Sequence, residues 1–119
     1  MKNKVYHLAN CTTCIRIIHE LQVSGEDFEF QDIKTERITP TQIDQMQKMA
    51  GSYEALFSRR AMKFRELGLG QKKLEESDYR QFILDEYTFL KRPVFLINGS
   101  IYIGNTKKTV EAVAAAIGR

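Results

Sequence analysis

The chain has 119 residues, with 18 Lys and Arg against 15 Asp and Glu and a hydrophobic fraction of 43%. That supplies enough apolar material for a core and excludes disorder over the whole length, while the length argues for one domain. No apolar run approaches the roughly 18 residues of a membrane-spanning helix, since stretches such as Val94-Phe95-Leu96-Ile97 end at Asn or Gly.

The start, Met1-Lys2-Asn3-Lys4 followed by Val5 to Cys11, has the outline of a lipoprotein signal. Its apolar part is too short, contains His7, and carries Asn10 where a small residue should precede the cysteine. A soluble, cytoplasmic protein with no membrane contact is expected. Two cysteines are too few for the disulfide framework of a secreted mini-domain.

Val5-Tyr6-His7-Leu8 reads as a short strand. From Cys11 to about Val23, apolar residues at Cys14, Ile15, Ile17, Ile18 and Leu21 have the spacing of an amphipathic helix, which Ser24-Gly25 stops. Phe28 to Ile33 alternates apolar with polar, as a half-buried strand does. Strand, helix and strand in this order predict two parallel neighbours joined by a right-handed crossover. Thr39 then caps a second helix with Pro40 at its first position and Gly51 at its end. Residues 53–87 show only helical patterning, broken at Gly68 and Gly70, and Met46, Met49 and Met62 read as core or core-edge packing. Val94–Ile97 and Ser100–Ile103 flank Asn98-Gly99, a strong hairpin signal, and an Ala-rich helix from Thr106 to Ile117 follows. The whole reads as an α/β chain of the thioredoxin-like kind: β-α-β, then β-β-α, in a mixed sheet. It would be a single domain over 1–119 with an all-helical insertion at about 39–88.

Cys11-Thr12-Thr13-Cys14 lies where the first strand becomes the first helix. One helical turn brings both cysteines to one side, within reach of a disulfide. Free N–H groups and the positive end of the helix dipole favour the Cys11 thiolate. Cys11 is thus the expected nucleophile and Cys14, one turn deeper, the resolving partner. The alternatives are two inert cysteines or half a zinc site with His7 and His19, but for zinc a second paired cluster is missing and no metal is expected. His7 is either a satisfied histidine at a strand end or a modulator that polarises Cys11.

The pattern His7-x-x-x-Cys11-Thr-Thr-Cys14-x-Arg16, the segments Leu56-Phe57-Ser58-Arg59-Arg60 and Phe64-Arg65-Glu66-Leu67-Gly68-Leu69, and Leu90-Lys91-Arg92-Pro93-Val94 before a strand resemble the arsenate reductase/Spx family of glutaredoxin-type arsenate reductases and their relatives. The likeness runs over essentially the whole chain. It implies a thioredoxin-like fold with a helical insertion and a cis peptide bond at Arg92-Pro93 beside the nucleophile. It also implies that Cys11 attacks arsenate or another oxidised substrate while Arg92 holds the oxyanion. With them, Thr12, Thr13, Pro93 and Arg60 form the expected anion or partner site. No bound cofactor is implied; a thiol reductant, glutathione or a thioredoxin system, would be the co-substrate. The chain departs from the arsenate reductases in three ways. Cys14 stands where they resemble a monothiol pattern, Arg60 matches the arginine of the Spx members, and Asn105 falls where a further arginine is expected. The CxxC with Arg60 therefore also fits a redox-sensing regulator that binds the RNA polymerase α-subunit.

Residues 59–73 carry a local charge of +5, whereas the first 58 residues sum to −2 and the last 46 are neutral. The stretch is short and holds one aromatic, Phe64, so direct nucleic-acid binding is not expected. Arg60 is assigned to the anion or partner site and the other cations to solvent.

Overall fold

Residues 3–119 are described by a computed structural model, so Met1 and Lys2 of the N-terminal stretch weighed above lie outside the described residues. The chain forms two compact units, one from the residues up to Glu36 together with Arg92–Arg119, the other from Arg37–Lys91.

The first unit contains strands β1 (Asn3–His7), β2 (Phe28–Asp32), β3 (Val94–Ile97) and β4 (Ser100–Ile103), with helices α1 (Thr12–Glu20) and α5 (Lys107–Ala116). The sheet order is β2-β1-β3-β4. β1 runs parallel to β2, with Val5 opposite Phe30, and antiparallel to β3, with Val5 opposite Phe95. Because side chains alternate along a strand, this register puts Val5, Phe28 and Phe95 on one face. There they meet Ile17 and Leu21 of the α1 segment and Val113 of α5 in an apolar core. The mixed sheet and helix order are those of the thioredoxin-like α/β class that the element pattern predicts. The β3–β4 turn holds Asn98 at φ 50° and Gly99 at φ 82°, the paired positive φ that makes Asn-Gly the favoured two-residue hairpin.

The second unit is helical: α2 (Pro40–Ala50), α3 (Met62–Glu66) and α4 (Glu76–Asp85), with 3-10 turns at Glu54–Leu56, Leu69–Gln71 and Tyr87–Phe89. Thr39 Oγ1 accepts from the Gln42 N–H and the Gln42 side chain accepts from the Thr39 N–H, a complete capping box. The segment 53–87 is less continuous than its helical pattern predicts. Phe57 turns extended and bridges to Leu90, while Gly68 takes a φ of 64° that stops the chain between α3 and the next turn. Met62 is a correction of a different sort: it is 78% exposed and packs in no core, because the five-residue α3 buries none of its side chains. The aromatic cluster instead gathers on Phe57, which stacks on Phe89 at 5.0 Å and meets the edge of Tyr79 at 4.9 Å. Among the described residues no helix is long and apolar enough to cross a membrane.

Candidate functional site

The end of β1 delivers the chain to the two cysteines through a tight turn, in which the Cys11 N–H donates to the Leu8 carbonyl at 3.1 Å. Cys11 is the N-cap of α1 with extended backbone (φ −93°, ψ 114°), so its side chain stands beside the open N–H groups of the first turn. Its carbonyl accepts from Ile15 N–H at 3.0 Å, the first bond of the helix. Cys11 is half-buried and Cys14 fully buried, and both are free thiols.

Their surroundings set them apart. Partial burial pushes the Cys11 thiol up, but the N–H and thiol of Cys14, the N–H of Thr13 and the positive charge of Arg92 together outweigh it and leave the pKa lowered. Burial pushes the Cys14 thiol up to about 11, with the Cys11 charge adding to the rise; the Leu8 N–H and Arg92 oppose it only in part. Cys11, Thr13, Cys14 and Arg92 thus converge. Thr12 is exposed at the first helical position, and Arg92 is half-buried. The Arg92-Pro93 peptide bond is cis, as the resemblance implies, and Pro93 is buried with its carbonyl accepting from the Gly104 N–H at 2.9 Å.

His7 lies at the end of β1 with its ring edge-on to Phe30, centroids 5.4 Å apart. Burial lowers its pKa, partly offset by Asp32, and the groups that act on the Cys11 thiol are those named above. Arg60 belongs to the helical unit. It is exposed, its N–H donates to Ser58 Oγ at 3.4 Å, and with Arg59, Phe64 and Arg65 it lines an open cavity of about 700 Å3. Arg59 is held by Glu54 at 3.0 Å and by the Tyr79 hydroxyl at 2.7 Å. Among the described residues, no three His, Cys, Asp or Glu side chains gather where they could hold a metal ion. Reading the sequence missed two main-chain partners: the Leu8 N–H at Cys14 and the Gly104 N–H at Pro93. Backbone donors carry no residue signature, and only the φ of 91° at Gly104 leaves one.

A four-strand mixed sheet with a CxxC where its first strand meets its first helix defines a thioredoxin-like protein with a dithiol site. The chain belongs to the ArsC family, whose model matches residues 6–113. Among solved structures it is similar to an arsenate reductase (ArsC) related protein from Brucella melitensis. The two are 26% identical with a TM-score of 0.72 over 94% of this chain and 93% of that one. It is also similar in fold to the arsenate reductase from Vibrio cholerae, at 16% identity and a TM-score of 0.77 over 98% of each chain. No curated protein sequence matches the chain.

Proposed function

We propose that this protein is a thiol:disulfide oxidoreductase of the arsenate reductase type, working in the cytoplasm on a small oxyanion or disulfide. One observation carries the reading: two cysteines a helical turn apart have opposite environments, a half-exposed thiol with a lowered pKa and a buried one raised to about 11. In the arsenate version the Cys11 thiolate displaces an oxygen of arsenate, which leaves as water, and forms a sulfur–arsenic bond. Arg92 offsets the charge, and its planar fork suits a tetrahedral oxyanion. The Cys14 thiolate then attacks the Cys11 sulfur. The electron pair of the sulfur–arsenic bond goes to arsenic, which leaves as As(III), and a Cys11–Cys14 disulfide remains. Adduct formation removes the Cys11 negative charge, one of the causes that hold the Cys14 pKa high, so Cys14 becomes a better nucleophile when it is needed. Glutathione or a thioredoxin system resets the pair. Turnover of arsenate by the reduced protein with either recycling system, absent in Cys11→Ser, is the expected result; equal rates for the two would refute this version.

The complete CxxC and the exposed Arg60 in a +5 segment favour one second reading, a redox-sensing regulator that binds the RNA polymerase α-subunit. Capture of the α-subunit by the oxidised protein and not by the reduced one would support it. Absence of binding in both states would remove it.

A further inference from the structure

Ile15 is 52% exposed, and among the described residues it is the one large apolar side chain of the sheet-containing unit left in solvent. Helix α1 commits Cys14 and Ile17 to the interior, so Ile15 adds nothing to the core. A lone surface isoleucine needs no explanation by itself; this one adjoins the nucleophile. It lies four residues beyond Cys11, and its N–H bonds the Cys11 carbonyl at 3.0 Å. Cys11 is the extended N-cap of α1 and Ile15 its fourth residue, and a helical side chain leans over the turn N-terminal to its own Cα, here the entry of the helix where Cys11 stands. The Ile15 side chain therefore forms an apolar shoulder on the Cys11 side of the helix, with Thr12 exposed at its start.

A hydrated oxyanion or a small thiol gains little from such a shoulder, whereas a polypeptide thiol brings neighbouring residues that can be buried on it. We propose that Ile15 is a docking residue for a protein dithiol that reduces the oxidised Cys11–Cys14 pair, an inference that rests on the redox-pair reading above. Cys14 is fully buried, so the partner's first thiolate attacks Cys11. The Cys11–Cys14 bond breaks, and Cys14 leaves as a thiolate that takes a proton from solvent. The partner's second thiolate then attacks its own sulfur in the mixed disulfide and expels the Cys11 thiolate. Two electrons have passed from the partner, which departs as a disulfide.

The test compares reduction of the oxidised full chain by a thioredoxin, as the protein dithiol, and by dithiothreitol, as the small one. Ile15→Ser should slow the thioredoxin reaction about fivefold, roughly what covering the exposed half of an isoleucine is worth. The dithiothreitol rate should stay within about twofold, and Ile15→Leu should restore the thioredoxin rate. An unchanged thioredoxin rate, or an equal fall in both rates, would overturn the assignment. If the oxidised wild-type chain holds no Cys11–Cys14 disulfide for dithiothreitol to reduce, the redox-pair reading fails as well, a result distinct from loss of the docking role alone.

Discussion

The two units of the chain are held together by different means. The sheet-containing unit packs an apolar core, from Val5 and Phe95 on the strands to Ile17 and Val113 on the helices. The helical unit has an aromatic cluster around Phe57 and adds a web of charged contacts. Arg80 grips Asp44 through two bonds of 2.8 and 3.2 Å, Tyr53 donates to the same carboxylate at 2.6 Å, and Glu76 accepts from the Tyr53 and Glu54 N–H groups. The Arg37 guanidinium donates to the Leu84 and Asp85 carbonyls at the end of α4. Short helices leave many terminal N–H and carbonyl groups open, and side chains must satisfy them. No side-chain hydrogen bond caps the start of α1, which leaves its first-turn N–H groups to act on a sulfur. The half-exposed Cys11 thus lies in the sheet-containing unit and the +5 segment in the helical one.

Substitutions can break this contrast. Cys11→Ser should abolish thiol exchange while leaving the melting temperature close to wild type, since the side chain belongs to no core; activity and thermal unfolding measured together check this. Phe57→Ala should destabilise the helical unit by about 3–5 kcal/mol in urea unfolding, because it empties the centre of the aromatic cluster. Thr39→Ala should cost about 1 kcal/mol in the same assay through loss of the N-cap. The smallest effect sharpens the contrast through pH. Hydrogen bonds from Arg80 and then Tyr53 hold the Asp44 carboxyl at about 2 against its ordinary 3.8. A folded pKa below the unfolded one contributes stability that is full above pH 3.8 and is lost as pH falls toward 2. Asp44→Asn should flatten that acid limb slightly in melting curves recorded between pH 2 and 5, slightly because the pair is exposed to solvent.

The sequence made local features most legible where one residue type has one physical use. Thr39-Pro40 opens a helix, Asn98-Gly99 closes a hairpin, and the CxxC lies between a strand and a helix, each as its residue types predict. Residues 53–87 were read less well. Their apolar spacing fits a helix, but Phe57 is drawn into extended backbone by its bridge to Leu90, a partner far along the chain. Met62 looked like packing because methionine usually is, yet nothing in a five-residue helix tells which side will be covered. At the site, the cysteines were visible as residues. So was the pull of the N–H groups at the helix start on Cys11, whereas the burial that raises Cys14 and the Leu8 N–H that opposes it depend on tertiary packing.

That contrast is the centre of the account, and alkylation tests it directly. The reduced protein would be treated with iodoacetamide across pH 5 to 11 and the label on each cysteine quantified by mass spectrometry. Cys11 should react with a midpoint below that of an ordinary thiol, and Cys14 should stay protected until the pH nears 11. If the two cysteines react in parallel with an ordinary thiol midpoint, neither an activated nucleophile nor a buried resolving partner exists, and the proposed chemistry is lost.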